Sequence, residues 1–245
     1  FWSTWWFRLL VVAALAGGFL RVGYRVRERQ RIAFERAELR AAAAEAQAET
    51  TAARAQALLA DYERKKNVEL LSDIGRTLTA SLDVDTIFAR LYEGAGQFLD
   101  ATIFGVGLYH PEREEIEYRL AYADEKRYAP YTRDMRDKDQ FPVWCVEHRQ
   151  PIFINDVEHE FSRYITRYEE KELPLEDGTV PPVPASLIYV PLLAKDRVLG
   201  LLTVQSYEKN AYSEDDLNLL QTLTAYTAIA LDNADAYRQL HTTVD

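Results

Sequence analysis

The sequence is poor in the residues that cross-link a chain or bind transition metals. Its 245 residues include one cysteine, Cys145, and four scattered histidines. A single cysteine excludes an intramolecular disulfide framework and a zinc site made of several cysteines. The histidines form no recognisable metal-binding motif. We therefore expect no metal ion, and the sequence leaves the identity of any other cofactor open.

Positive charge is scarce in most of the chain. Residues 1–66 hold 12 Lys and Arg against 7 Asp and Glu, whereas residues 67–245 hold 17 against 32. Nucleic-acid binding needs a basic face that replaces the counterions of the phosphates. We therefore expect no nucleic-acid partner.

Proline and glycine are absent from residues 25–66, where Ala, Glu, Arg and Gln dominate. This composition predicts one long helix. A heptad frame can be drawn through Ile32, Leu39, Ala46, Ala53, Ala60, Asn67 and Ile74. The alanine-rich seam is weak. We predict a helical linker over residues 25–67. In a homodimer this linker would form a parallel two-stranded coiled coil, which we favour over a single solvated helix.

An uninterrupted apolar run occurs near the beginning, at Leu9–Leu20. Aromatic residues flank it, and the segment from Trp2 to Tyr24 would reach about 34 Å as a helix, enough to cross a bilayer. Five arginines follow within residues 21–31. By the positive-inside rule they place the following chain in the cytoplasm. We predict a transmembrane helix over residues 1–24, the alternatives being a buried core helix and a signal-peptide remnant.

After residue 67 the pattern becomes that of an α/β domain. Two helices are predicted to precede alternating strands, and a hairpin of two apolar strands is predicted before a last helix. The last helix begins at a capping box, Ser213–Asp216. The predicted strands and hairpin are Phe104–Tyr109, Glu115–Tyr122, Pro151–Asn155 and Leu187–Ala194 with Val198–Ser206.

This order resembles the GAF family of sensory domains. The residues that carry the resemblance are 71–75 and 81–83 at the entry of the domain, 190–192 and 200–206 in the hairpin, and 212–217 and 228–234 at its end. It implies a mainly antiparallel sheet flanked by helices over residues 68–240. Two apolar stripes on the last helix predict burial against the sheet and a second helix, plausibly that of a second copy. We expect residues 241–245 to begin an exit helix toward an output domain.

The first eight residues, Phe1–Arg8, resemble the membrane entry of bacterial sensors with a periplasmic two-component regulator propeller. Because the first residue is Phe1 rather than Met, we expect a piece of a longer protein. The resemblance implies a single-pass inner-membrane protein with a cytoplasmic GAF domain. It further implies that the parent protein is the sensor histidine kinase of a two-component system.

No catalytic constellation is present in the sequence. Neither common glycine-rich phosphate loop occurs. A histidine kinase phosphoacceptor box is also missing, because His110 lies in a predicted turn and His241 has no acidic neighbour. This segment is therefore expected to transmit or sense a signal without a reaction of its own.

A ligand pocket is the remaining functional hypothesis, because GAF domains commonly bind small molecules between the sheet and its covering loops. The expected cover is residues 123–140 and 158–184. The candidate pocket residues are Tyr122, Trp144, Cys145, Phe153, Asn155, Phe161, Tyr164 and Tyr189. The alternative is that these aromatic side chains only fill the core. Cyclic-nucleotide-binding GAF domains carry an Asn-Lys pair, and this chain has the reverse order, Lys209-Asn210. Bilin-binding members often attach the pigment to a cysteine that is followed by a histidine, and no histidine follows Cys145.

Two functions follow from these expectations. In the first, a signal from outside passes through the membrane helix, the coiled coil and the GAF domain to a histidine kinase. In the second, the GAF domain senses a small ligand and controls a nucleotide cyclase, a diguanylate cyclase or a phosphatase. The expected partners are a second copy, bound through the linker and terminal helices, the lipid bilayer and a small-molecule ligand.

Overall fold

The computed structural model describes residues 2–169 and 173–242, and the chain divides into two units, Phe1–Asn67 and Val68–Asp245. Helix α1 runs from Trp2 to Thr79, so it forms the described part of the first unit and begins the second. The predicted helix over residues 25–66 is thereby confirmed. No proline occurs in this stretch to remove a backbone hydrogen bond.

The side chains of α1 that the structure describes in the first unit are exposed. They include Val12, Leu15 and Phe19, whose exposed fractions are 63%, 68% and 86%. By length and composition the apolar part of α1 is able to cross a membrane, a property that signal sequences share.

The second unit contains short helices and an antiparallel sheet. After α1 the elements are α2 (Val84–Ala95), β1 (Ile103–His110), β2 (Glu115–Ala123), β3 (Lys126–Arg127), β4 (Tyr131–Asp134), α3 (Phe141–His148), β5 (Ile152–Ile154), α4 (Val157–Glu160), a 3₁₀ turn (Phe161–Arg163), β6 (Ser186–Ala194), β7 (Arg197–Ser206) and α5 (Glu214–Thr242). The strand order is β3-β2-β1-β7-β6-β5, with β4 also paired to β2. The predicted mainly antiparallel sheet is confirmed.

Each face of the sheet has its own apolar layer, because successive strand residues point to opposite sides. On one side Phe104, Ile188 and Val204 pack with the end of α1, α2 and α5. On the other side Leu187, Tyr189 and Leu201 pack with α3 and the long connections. The second face is the one that carries the cavity described below.

Local signals fix where the helices of this unit begin. Asp83 caps α2, and its Oδ2 accepts a hydrogen bond from the backbone N–H of Thr86 at 2.9 Å. At the start of α5, Asp216 Oδ2 accepts from the Ser213 N–H at 2.7 Å, and Ser213 Oγ accepts from the Asp216 N–H at 3.3 Å. This reciprocal pair is the predicted capping box.

Helix α5 differs from the expectation in one respect. In its second apolar stripe, Leu223 and Ala230 are buried within its own unit, and Leu219 and Tyr226 are half-buried there. A partner helix is therefore not needed to cover that part of the stripe. Tyr237 and Leu240 remain exposed near its end. The predicted exit segment 241–245 is helical at residues 241 and 242, and its remainder lies outside the described residues.

Candidate ligand-binding site

A cavity of about 140 Å³ lies between the second face of the sheet and its cover. Tyr118 of β2, Tyr189 of β6 and Thr203 of β7 line its sheet side. The cover consists of β4, the residues that begin α3, and parts of the segment between residues 165 and 184. The cavity therefore lies in the place where the sequence predicts a ligand pocket, although most of its lining differs.

Tyrosine rings form one wall of the cavity. Tyr118 stacks on Tyr131 with ring centroids 4.6 Å apart, and Tyr128 meets Tyr131 edge-on at 6.0 Å. Burial raises the pKa of Tyr128 and of Tyr189 to about 12. Burial likewise raises the pKa of Tyr118 and Tyr131 above its usual range. At neutral pH all four side chains are therefore uncharged phenols that can donate hydrogen bonds.

Arg133 supplies a positive charge beside these rings. Its guanidinium carbon lies 5.3 Å from the centroid of the Tyr131 ring, a cation–π contact. The positive charge of Arg133 lowers the pKa of all four tyrosines and so works against the rise that burial causes. Within residues 2–169 and 173–242, no carboxylate lies within ion-pair distance of this half-buried guanidinium.

Gln140 contributes a buried acceptor to the cavity lining. Its side chain is 7% exposed, and its Nε2 donates long hydrogen bonds to the backbone oxygens of Asp134 and Asp137, at 3.5 Å and 3.4 Å. Its Oε1 is buried and has no hydrogen-bond partner among the described residues. Burying an acceptor without a donor costs free energy. A bound molecule with an N–H or O–H group would remove that cost.

Two acidic residues also line the cavity, and both already have partners. Asp139 Oδ1 accepts the backbone N–H groups of Thr166 and Arg167 at 3.0 Å each, which ties the cover to the start of α3. Glu169 pairs with Arg167 at 3.3 Å. Their charges are therefore engaged in holding the cover.

Of the eight candidate pocket residues, Tyr189 lines the cavity. Its hydroxyl accepts a hydrogen bond from Gln205 Nε2 at 2.9 Å and is also hydrogen-bonded to the Thr203 side chain, and both bonds oppose the rise of its pKa on burial. Cys145 is fully buried in the apolar layer beside it. Burial raises the pKa of the Cys145 thiol far above its usual range, so the thiol is unreactive.

The structure places the other six candidates outside the cavity lining. Trp144 stacks on His148 and meets Tyr164 edge-on at 4.8 Å, beside Phe161 in the same layer. Asn155 Nδ2 donates to the backbone oxygen of Tyr212 at 2.8 Å, which joins the end of β5 to the segment before α5. The remaining two lie toward the opposite face of the sheet: Tyr122, which stacks on Tyr92, and Phe153.

A group with metal-ligand atoms lies elsewhere, at Asp156, Glu158 and His159. The ammonium of Lys209 lies 2.9 Å from Asp156 Oδ2 and 3.5 Å from Glu158 Oε2. This cation bridges the two carboxylates and offsets part of their charge, as in a surface ion-pair network.

Comparison with known proteins identifies the domain. The family model described as the GAF domain matches residues 81–232. The chain belongs to the GAF domain family. Among curated proteins, the formate hydrogenlyase transcriptional activator FhlA of Escherichia coli strain K12 is 22% identical over 186 residues. This match covers 74% of the chain and 26% of the relative, so the chain spans about a quarter of the relative's length.

Solved structures give the same fold. The GAF domain of a phosphoenolpyruvate-protein phosphotransferase from Coxiella burnetii has a TM-score of 0.56 at 15% identity, over 71% of this chain and 96% of that one. The free methionine-R-sulfoxide reductase of Neisseria meningitidis, solved with its substrate, has a TM-score of 0.52 at 16% identity, over 70% and 91%. At these identities the likeness establishes the GAF fold alone.

Proposed function

We propose that the chain is the sensory and signal-transmitting part of a bacterial transmembrane receptor, and that its GAF domain binds a small molecule. The observation that carries the ligand-sensing role is the cavity over the sheet, with its uncharged phenols, an arginine (Arg133) that has no carboxylate partner among the described residues, and a Gln140 acceptor that has no hydrogen-bond partner among them. Buried polar groups are nearly always paired in native proteins, so a buried acceptor without a donor beside a cavity supports a bound ligand. No nucleophile with an adjacent base lines this cavity among the described residues, which supports binding rather than catalysis.

Filling the cavity tests this role. Ala121 lies on its sheet side at 5% exposure, and Ala121→Leu would occupy the space of a ligand. In a metabolite screen on the full chain in detergent, a compound at about 100 times its Kd adds about 2.7 kcal/mol, or roughly 5–10 °C in thermal midpoint. We expect Ala121→Leu to lose this shift and the exposed control Ala225→Leu to keep it. The absence of any stabilising compound, with native mass spectrometry as a second readout, would refute ligand sensing.

The membrane part of the proposal rests on the apolar, unburied section of α1. We place that section in the inner membrane as a single pass. The arginines of residues 21–31 then face the cytoplasm, as does the GAF domain. A piston-like displacement, tilt or rotation of a span at this position would be transmitted to the rest of α1, because the helix is continuous.

We further propose that the receptor is a homodimer through α1 and the end of α5. Leu39 on the heptad seam of α1 is 71% exposed, and Leu240 on α5 is 68% exposed. Pairing with a second copy would cover these side chains. The weak, alanine-rich seam also suits a relay, because two registers of such a coiled coil differ little in free energy.

Cysteine trapping in membranes tests the dimer. We expect the single variants Leu39→Cys, Ala46→Cys and Ala53→Cys, which lie on the heptad seam, to give mostly cross-linked dimers under mild oxidation. The matched variants Ala41→Cys, Ala48→Cys and Ala55→Cys lie on the opposite side of the helix and should stay mostly monomeric. Buried Cys145 does not interfere. Equal cross-linking at both sets, or none, would argue against the proposed seam.

For the output we propose a histidine kinase of a two-component system, on the resemblance of residues 1–8 to the membrane entry of such sensors. A second candidate is a transcription-activating domain, favoured by the name of the Escherichia coli relative. Cyclase and phosphatase outputs remain the further alternatives. The gene sequence after the codon for Asp245 distinguishes them. A dimerisation helix with a phosphoacceptor histidine supports the kinase, and any other domain there contradicts it.

A further inference from the structure

The electrostatics of the cavity indicate the class of molecule that it binds. This inference rests on the proposed ligand-sensing function and makes it more specific. We infer that the ligand is a small organic carboxylate that also carries a hydroxyl or amino group. Arg133 and the phenol groups bind its carboxylate, and Gln140 Oε1 accepts its hydroxyl or amino hydrogen.

The charge of Arg133 excludes the other ligand classes. A cationic ligand would be repelled by the guanidinium. A neutral apolar ligand would remove water from a positive charge that has no carboxylate partner in the described part of the chain, which is costly. A carboxylate would replace the lost water at the guanidinium, because its two oxygens match the forked donors of arginine. Of the two lining acids, Glu169 is paired with Arg167, and Asp139 Oδ1 is bound by two backbone N–H groups of the cover.

The phenols extend this anion-binding surface. Tyr189 lines the cavity as an uncharged phenol, with Gln205 and Thr203 as its hydrogen-bond partners. Tyr118, Tyr128 and Tyr131 lie within the field of Arg133 and remain protonated at neutral pH. Several uncharged O–H donors around one guanidinium form a site for an anion of single charge.

Gln140 adds a requirement that a simple carboxylate does not meet. Gln140 and Arg133 both line the cavity, so one bound molecule is able to contact both residues. A ligand that spans both groups needs an anionic end and a hydrogen-bond donor. The cavity of about 140 Å³ also limits its size, because a cavity of roughly 150 Å³ holds benzene.

Calorimetry on the full chain in detergent tests the inference with lactate, serine and glycolate as probes. We expect at least one of them to bind with a Kd between about 1 μM and 1 mM. Its carboxamide analogue should bind about 10- to 100-fold more weakly, the effect of losing hydrogen bonds to a charged group. Arg133→Gln should weaken the carboxylate by the same factor.

Arg163→Gln is the matched control. Arg163 also lies over a tyrosine ring, 5.6 Å from the centroid of Tyr164, but it is paired with Glu160 and lies outside the cavity lining. We expect this variant to change the affinity less than twofold. For Gln140→Met we expect lactate to bind only as well as propionate, which lacks the hydroxyl group, with the binding of propionate itself changed less than twofold.

Three results would overturn the carboxylate inference: unchanged affinity in Arg133→Gln, equal binding of the carboxamide, or no binding of any probe at 10 mM. If a neutral compound then stabilises the wild type and loses its effect in Ala121→Leu, the ligand-sensing function stands and the carboxylate class alone fails. If no compound binds at all, both proposals fail.

Discussion

Gly200→Ala is expected to destabilise the GAF domain by about 3 kcal/mol or more, enough to unfold a marginal domain. A Cβ atom at Gly200 would lie 2.0 Å from the backbone oxygen of Gly107 and 3.0 Å from the Cα atom of Leu108. Both atoms belong to β1, which pairs with β7 at this point. Backbone atoms within a ladder cannot rotate away as a side chain does. Relief therefore requires the two central strands to separate.

Urea unfolding followed by circular dichroism measures this loss, which corresponds to a fall of roughly 6–12 °C in thermal midpoint. Gly96→Ala is the control. Gly96 follows α2 with φ −65°, and the nearest atom to an added Cβ lies at an ordinary 3.5 Å. We expect that variant to stay within about 1 kcal/mol of the wild type. Similar stability of the two variants would show that β1 and β7 tolerate a wider separation at this position.

The parts of the fold that sequence reasoning predicted depend on neighbours along the chain. Asp83 and the Ser213–Asp216 box cap helices through hydrogen bonds within three residues. The β6–β7 hairpin follows from two apolar runs and a turn, in which Lys195 adopts φ 55°. Such signals are visible in the sequence because the atoms that satisfy them are close in the chain.

Strand β4 shows what this reasoning misses. Tyr131–Asp134 is four residues long and partly exposed, so it has no apolar pattern. It exists because it pairs with β2, for example Ile116 with Arg133. From the sequence, residues 123–140 are instead predicted to form a covering loop rich in tyrosine. Arg133 is therefore missing from the candidate pocket residues, although the unusual combination of arginine among several tyrosines was a usable signal.

A β-bulge explains why Tyr122 lies away from the cavity. Simple alternation along β2 would put Tyr118 and Tyr122 on the same face. In the structure Val106 pairs with Leu120 while Gly107 pairs with Tyr118, so Arg119 is an extra residue on β2. One extra residue reverses the faces of all later side chains. Tyr118 therefore lines the cavity, whereas Tyr122 stacks on Tyr92.

The aspartate pair Val12→Asp and Leu15→Asp is expected to move the chain from the membrane to the soluble fraction. Both side chains lie in the middle of the apolar part of α1 and are 63% and 68% exposed. An aspartate near the centre of a transmembrane helix costs about 2.5–3.5 kcal/mol. Two of them cost on the order of 5–7 kcal/mol, which changes partitioning by at least about 1,000-fold. Immunoblots of carbonate-washed membranes and of the supernatant measure the distribution.

Leu39→Asp with Leu58→Asp is the matched control, because it places the same two charges at leucines of the same helix that are each 71% exposed. These positions belong to the polar part of α1, where no bilayer is proposed. The control should therefore remain in the membrane fraction with the wild type. Since both pairs lie in the first unit, near-ultraviolet circular dichroism of the GAF domain should be the same in all three proteins. A wild-type chain that stays in the supernatant, or an aspartate pair at positions 12 and 15 that stays in washed membranes, would mean that α1 does not span a bilayer.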